Sequence, residues 1–262
     1  LSGVASTKCS VTSREGPDMQ GVGIVLRREL ASYFATPIAY VFILIFLVLS
    51  GVFTFYMGSF YEREQADLNA FFNFHPWLYL FLVPAISMRL WSEERKSGSI
   101  ELLLTLPLTR FDAVLGKFLA AWLFTGLALL LTFPMWITVN MLGEPDNGVI
   151  FSSYLGSWLM AGGFIAIGSC MSALSKSQVI AFIVSAVVCF LFILAGFPLV
   201  VDLFKGWLPG MFVDAIASLS FLTHFTSISK GVLSLRDVLY FVSVIAVWLT
   251  ATTVVVELKQ AR

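Results

Sequence analysis

The chain has 262 residues, of which 58% are hydrophobic and only 12% are charged, and its mean hydropathy is +0.90. Soluble domains carry about 25% charged residues, so this composition excludes an ordinary soluble protein. It indicates an integral membrane protein with small aqueous parts. The 16 basic residues balance the 16 acidic ones, so the overall charge gives no sign of a nucleic-acid partner.

The N-terminal residues 1–18 are polar and lack an apolar core, which excludes a signal peptide there. We expect a disordered tail, or an over-extended gene start that precedes Met19. The cysteines Cys9, Cys170 and Cys189 fit no metal-ligand spacing. No metal site is therefore predicted, and the two cysteines inside apolar stretches are interpreted as small packing residues.

Apolar stretches long enough to cross a membrane occur six times after Met19. A crossing helix needs about 20 such residues, and the approximate ranges are 38–58, 72–91, 114–141, 152–174, 178–201 and 237–256. Segment 202–236 is too broken for a span and too apolar for a solvated loop, so re-entrant outer helices are expected there. The predicted fold class is all-α integral membrane, with residues 19–262 forming one six-helix transmembrane domain.

The basic residues of the loops set the expected orientation, since cytoplasmic loops are enriched in Lys and Arg. With the N-terminus inside, 12 of the 16 basic residues are cytoplasmic and four (Arg63, Lys205, Lys230 and Arg236) are outside. Both termini are therefore expected in the cytoplasm. The outer loop 61–69 is then either a solvated hairpin or a contact for an extracytoplasmic partner.

An amphipathic helix is predicted before the first span. Apolar residues recur there at helical spacing, at Val22, Leu26, Leu30, Tyr33 and Phe34, and the charged residues Arg27, Arg28 and Glu29 lie off that stripe. Such a pattern is typical of a helix lying along the inner membrane interface. An ordinary basic flank of the first span is the simpler interpretation.

The segment Trp91–Lys117 is the most elaborate polar feature of the chain. A charged run, Ser92–Lys96, continues the second span, and Ser97–Ser99 interrupts it. A short helix with one apolar face follows and ends at Pro107, and Thr109 with Asp112 has the spacing of a capping box for the third span. A cytosolic partner could grip this short helix and move two spans at once. The alternative is a solvated loop with ordinary cytoplasmic charge.

Small residues share one face of the fourth predicted span: Gly162, Ala166, Ser169, Cys170 and Ala173. Small side chains let helix backbones approach closely in a membrane, so we interpret this face as a packing surface. A face that lines a substrate path is the alternative.

Motifs for catalysis are absent from the sequence. There is no GxxxxGK[ST] phosphate loop and no HExxH, so the chain is expected to hydrolyse no ATP by that route and to be no enzyme. His75 is interpreted as structural, although a metal or proton site is the alternative. The spans hold essentially no ionisable residue at mid-depth, which disfavours an ion-coupled transporter.

The charged segment resembles the coupling segment of ABC type-2 transporter permeases. The similarity lies in the run Glu93-Glu94-Arg95, in Gly98, in Ile100-Glu101-Leu102-Leu103 and in Pro107-Leu108, with Ser99 where Thr is usual. The N-terminal Leu26–Leu30, Tyr33-Phe34 and Pro37-Ile38 are also similar to these permeases. His75-Pro76-Trp77 is most like the gliding-motility-type and multicopper-enzyme-maturation branch. The resemblance covers Val22–Arg262, with strong motifs only in Val22–Lys117.

The resemblance implies a permease subunit of an exporter-type complex in the bacterial inner membrane. ATP and Mg would be held by a separate cytosolic ABC ATPase, and a second permease chain, identical or related, would complete the complex. The implied ATPase-coupling residues are Glu93, Glu94, Arg95, Gly98, Ile100, Glu101, Leu102 and Pro107, and the implied interfacial-helix residues are Arg27, Arg28, Glu29 and Tyr33. The alternatives are a non-transporting scaffold or assembly subunit and, less favoured, an ion-coupled transporter.

Overall fold

The computed structural model of the chain describes residues 19–63, 65–98, 109–205, 210 and 216–260. These residues form helices and connecting turns. In chain order the helices are α1 Met19–Ala35, α2 Pro37–Val52, α3 Asn69–Asn73, α4 His75–Ser87, α5 Arg89–Ser97, α6 Arg110–Leu130, α7 Phe133–Leu142, α8 Asn147–Leu174, α9 Gln178–Leu194, α10 Pro198–Lys205, α11 Phe221–Ser229 and α12 Leu235–Gln260. The π-helical turn Phe53–Met57 continues α2.

Four helical stretches of the described chain are long and apolar enough to cross a membrane. They are Pro37–Met57, Arg110–Leu142, Asn147–Leu174 and Leu235–Lys259, and each coincides with one of the six predicted spans. The predicted span 178–201 is present as a shorter apolar helix, α9, followed by α10. The second predicted span, 72–91, is divided among α3, α4 and α5.

The division between α4 and α5, at Met88, coincides with hydrogen bonds from a side chain of another helix. The hydroxyl of Ser172, on α8, donates to the Met88 carbonyl and accepts from the backbone N–H groups of Trp91 and Ser92. A side chain that inserts into the hydrogen-bond ladder of a helix interrupts or kinks it. The charged run predicted to continue the span is helical, as α5, and it ends at Gly98, whose φ of +74° suits glycine.

Helix α8 is the centre of the described bundle. Of its most apolar 18 residues 83% are buried, against 28% for the Pro37–Met57 stretch. The small face predicted from the sequence is buried against neighbouring helices, in keeping with a packing surface. A Cβ atom at Gly162 would lie 2.9 Å from the Trp122 indole nitrogen, and one at Gly168 would lie 1.9 Å from the Ser87 hydroxyl oxygen. Only glycine permits these close approaches.

Two tryptophans join α6 to α8 symmetrically. The rings of Trp122 and Trp158 stack with centroids 4.2 Å apart. The Trp122 indole N–H donates to the Trp158 carbonyl, 2.8 Å away, and the Trp158 indole N–H donates to the Trp122 carbonyl, 3.2 Å away. Buried indole N–H groups need an acceptor, and each here finds one on the other helix.

Contacts between the ends of the long helices define two ends of the bundle. Arg110, at the start of α6, pairs with Glu257 near the end of α12, and Lys259 donates to the carbonyl of Leu174 at the end of α8. Because α5 also contacts the end of α8, these elements share one end, called here the elbow end. Residues 224 and 237 pair at the opposite end of α12.

Charge cluster at the elbow as the candidate functional site

Helices α1, α5 and α6 meet at the elbow end, and the chain positions each by local rules. Helix α6 begins with the capping box predicted from the sequence. The Asp112 N–H donates to the Thr109 hydroxyl, 3.2 Å away, and the Thr109 N–H donates to the Asp112 carboxylate, 3.0 Å away. Lys117 follows almost two turns into α6 and points towards the other two helices.

A buried lysine is the centre of a charge cluster, defined here as Arg28, Glu29, Glu94 and Lys117. The Lys117 ammonium lies 2.9 Å from a carboxylate oxygen of Glu29 on α1 and 2.9 Å from one of Glu94 on α5. Its side chain is only 2% exposed. Arg28, half-exposed, lies 3.1 Å from the same Glu94 oxygen and 3.3 Å from Glu29.

The charges of the cluster balance, and this balance is what allows Lys117 to be buried. A buried ammonium is strongly unfavourable unless it is paired and hydrogen-bonded. Here the carboxylates of Glu29 and Glu94 contact the ammonium, and the Arg28 guanidinium balances the remaining negative charge. The Trp91 ring lies 5.4 Å from the ammonium as a cation–π partner. Removing one partner of such a buried pair typically destabilises a protein by about 3–5 kcal/mol.

Helix α1 reaches the cluster because it packs closely along α6. A Cβ atom at Gly116 would lie 2.7 Å from the Cβ atom of Val25, so the glycine lets the two helices touch. Further along, Tyr33 stacks on Phe124 with ring centroids 5.1 Å apart. The packed side of α1 therefore carries Val25, Glu29 and Tyr33. The expectation that Glu29 lies off the apolar, packed stripe of α1 is wrong, because its carboxylate faces α6 and pairs with the Lys117 ammonium.

Helix α5 is fixed to the end of α8 by its own polar contacts. The Trp91 indole N–H donates to the Ser169 hydroxyl, 3.0 Å away, and the Arg95 guanidinium donates to the Ala173 carbonyl. Glu93, one residue before Glu94, instead points outward and pairs with Arg89 at 3.1 Å, with 55% of its side chain exposed. Neighbouring glutamates on α5 thus have different surroundings.

The structure brings together three of the residues singled out from the sequence: Arg28, Glu29 and Glu94. The resemblance implies that Glu94 faces a partner, yet its carboxylate is bound inside the chain. Arg27 and Glu93 are exposed, Gly98 ends α5, and Arg95 is anchored on α8. The proposed coupling residues Ile100, Glu101, Leu102 and Pro107 lie outside the described residues.

Sequence reasoning missed Lys117 as a site residue, although a lysine at this position in an apolar helix is unusual. A lysine inside an apolar helix needs a partner in the protein, but its partners are 88 and 23 residues away in sequence. It also missed the buried pair of His224 and Asp237, whose nearest atoms are 2.6 Å apart. His75 is fully buried, and its Nδ1 lies 2.9 Å from the Phe71 carbonyl oxygen, which suits the structural interpretation.

Comparison with known proteins gives the family. The sequence model of one family, described as ABC-2 family transporter protein, matches residues 25–258, nearly the whole chain. A search of the curated proteins finds no match. The family match includes α1 from Val25 onward, the charge cluster and α12 almost to its end. The chain therefore belongs to the ABC-2 family of membrane transporter proteins.

Proposed function

We propose that the chain is the permease subunit of an ABC exporter-type complex in which a separate cytosolic ATPase hydrolyses ATP. The family match supports a permease, and the sequence has no phosphate loop of its own. The observation that carries the proposal is the ion pairing of Lys117 with both Glu29 and Glu94. This ion pairing joins α5 to α1 and α6 at one buried point.

Through the charge cluster, a displacement of α5 can be transmitted to the rest of the bundle. Force applied to α5 acts on Glu94, and through Lys117 it acts on α6 and α1 together. Packed elements transmit displacement because protein interiors are dense and not readily compressed. The docking surface for the ATPase is then the exposed side of α5, which carries Glu93 and Lys96, together with the segment 100–107 that follows.

Co-purification tests this proposal directly. The tagged chain is isolated from its own membrane, and the bound proteins are identified by mass spectrometry. We expect an ABC ATPase in the preparation and ATP hydrolysis that disappears when this subunit is removed. ATP hydrolysis by the partner-free chain, or the consistent absence of any ATPase from the intact complex, would overturn the proposal.

A matched pair of charge reversals tests the place of docking. Glu101→Arg is expected to reduce the ATPase retained per permease, because truncating one member of a charge pair at a buried interface costs on the order of 2–5 kcal/mol. Glu62→Arg, in the predicted outer loop, is the control and should retain the ATPase. If the two variants behave alike, the coupling assignment of segment 100–107 is wrong.

A non-transporting scaffold or force-transmitting subunit would dock an ATPase in the same way. The two functions separate in a reconstituted membrane. An exporter moves a compound across the bilayer in proportion to ATP hydrolysed, whereas a transmitter hydrolyses ATP and changes only the protein bound on the far side. An ion-coupled carrier is disfavoured, since the described charged residues lie towards the two ends of the bundle rather than at mid-depth.

The topology we propose is six spans with both termini and the elbow end in the cytoplasm of a bacterial inner membrane. A second permease chain and an extracytoplasmic partner at loop 61–69 complete the proposed assembly. The sequence motif His75-Pro76-Trp77 supports the gliding-motility-type and multicopper-enzyme-maturation branch. Single cysteines at Gln65 and Ser97 test the orientation in intact cells. Labelling of position 97 but not 65 by an impermeant reagent would reverse it.

A further inference from the structure

The backbone of the interrupted turn at Met88 is hydrogen-bonded to a side chain of another helix, and the Ser92 hydroxyl also donates to the Met88 carbonyl. Ser172 is fully buried on α8. Its hydroxyl donates to the Met88 carbonyl at 2.7 Å and accepts from the N–H groups of Trp91 and Ser92, each at 3.1 Å. A serine hydroxyl has one hydrogen and two lone pairs, so all of its hydrogen-bonding capacity is used at this one break.

The groups that Ser172 satisfies belong to the backbone where α4 gives way to α5. In an uninterrupted helix the Trp91 N–H would donate to the Ser87 carbonyl, four residues earlier. At the break it turns to α8 instead. Without the hydroxyl, buried backbone groups at the start of α5 would lack a partner, which is unfavourable in a protein interior.

Helices α4 and α8 approach each other closely beside the break at Met88. A Cβ atom at Gly168, one turn before Ser172, would lie 1.9 Å from the Ser87 hydroxyl oxygen. The end of α4 therefore rests directly on α8. Beyond the break, Trp91 and Arg95 are hydrogen-bonded to Ser169 and Ala173. Helix α5 is thus held against α8 by hydrogen bonds of its own.

We propose that Ser172 is a positioning residue for coupling: its hydroxyl holds the break at Met88 and so sets the direction in which α5 presents Glu94 to Lys117 and Glu93 to the partner. This inference rests on the proposed function, in which α5 belongs to the ATPase docking surface. Ser172 touches neither nucleotide nor partner. It acts through the orientation of α5, so a change at Ser172 alters coupling without altering any docking residue.

A second serine on α8 provides a matched control. Ser157 is also fully buried, and its hydroxyl lies 2.8 Å from the Tyr79 hydroxyl on α4. Its partner is a side chain in the middle of α4 and not the backbone of a break. Ser157→Ala and Ser172→Ala therefore remove one buried hydroxyl each from the same helix, but only the second removes the support of the break.

The first measurement uses the purified partner-free chain, so it does not depend on the proposed function. Amide hydrogen exchange in residues 89–97 should become about tenfold faster in Ser172→Ala, equivalent to about 1.4 kcal/mol. Spin labels at Arg27 and Lys96, both exposed, should show a shifted or broadened distance distribution, with Cys9, Cys170 and Cys189 replaced. Ser157→Ala should change neither measurement. Equal effects in the two variants would overturn the inference.

The second measurement uses the intact complex with its ATPase. Ser172→Ala should reduce the ATPase retained per permease at least about fivefold, whereas Ser157→Ala, with a similar thermal stability, should stay within about twofold of the unaltered chain. If the unaltered chain carries no ATPase, the proposed function is wrong. The exchange and distance measurements then still test whether Ser172 positions α5. If the alanine variant does not accumulate, Ser172→Cys keeps the shape with weaker hydrogen bonding and should give intermediate values. Amide exchange that is unchanged in Ser172→Ala, or in Ser172→Cys where it replaces the alanine variant, contradicts the inference.

Discussion

The two buried ionic sites of the described chain differ in how far their partners are separated. At the elbow end, Lys117 joins helices whose contacting residues are 88 and 23 positions away. At the opposite end, His224 and Asp237 are 13 positions apart and connect α11 to the first turn of α12. The first site ties distant elements together, and the second closes a local turn. A site that transmits movement needs the first kind of connection.

The local pair is nevertheless a demanding arrangement. His224 Nε2 lies 2.9 Å from the Ser218 carbonyl, which can only accept, so this nitrogen carries a hydrogen. Its Nδ1 lies 2.6 Å from a carboxylate oxygen of Asp237, so both ring nitrogens have an oxygen partner. Asp237 also accepts from the Ser234 hydroxyl, which in turn accepts from the Asp237 N–H. All of these groups are within 20 residues of one another.

The largest effect is expected from Lys117→Met. Glu29 and Glu94 would keep only the half-exposed Arg28 as a shared cation in a nearly buried site, and we expect a loss of about 3–5 kcal/mol in the free energy of unfolding. The measurement is thermal unfolding in detergent, followed by tryptophan fluorescence. Adding Glu29→Gln to the same chain should recover part of the loss, since one uncompensated charge is removed. A variant as stable as the unaltered chain would mean that the cluster does not hold the helices together.

Glu94→Gln is expected to have the next largest effect. A hydrogen bond between charged groups is worth roughly 1.5–3 kcal/mol, and the amide also leaves Lys117 with a single carboxylate. We expect reduced thermal stability and weaker retention of the ATPase, with membrane insertion preserved. Measuring both properties in one preparation separates the two. Unchanged stability together with abolished docking would show that Glu94 faces the partner after all.

Asp237→Ala should have a local effect of about 1–3 kcal/mol, because the buried imidazole and the start of α12 lose their partner. Amide exchange should accelerate in residues 216–238 and stay unchanged in α5. We expect Asp237→Ala to retain as much ATPase per permease as the unaltered chain, in contrast to Glu94→Gln. Loss of docking in this variant would show that the opposite end of the bundle also takes part in coupling.

The smallest effect on stability is expected from Glu93→Gln. Exposed ion pairs contribute about 0–1 kcal/mol, and this one joins Arg89 and Glu93 across one turn of α5. The melting temperature should barely move, in contrast to Glu94→Gln next to it. Thermal unfolding of the two variants side by side gives the answer. Equal losses would mean that burial does not distinguish these glutamates.

The parts of the fold that the sequence predicted are those governed by local rules. The ranges of four long helices, the Thr109 and Asp112 capping box and the end of α5 at Gly98 follow from hydropathy, spacing and glycine geometry. The hydrogen bond that Ser172 makes at Met88 could not be predicted, since the two residues are 84 positions apart. The same holds for Glu94, whose surroundings depend on Lys117 and α1.

The symmetric pairing of Trp122 and Trp158 has an evolutionary consequence. A glycine follows each tryptophan by one turn, and a Cβ atom at Gly126 would lie 2.7 Å from the Trp158 indole nitrogen, as one at Gly162 would lie 2.9 Å from that of Trp122. Each glycine is therefore small because of the tryptophan on the other helix. Among homologous chains, positions 122 and 162 should covary, and so should 158 and 126. A relative with a smaller residue at one tryptophan should carry a larger residue at the glycine opposite.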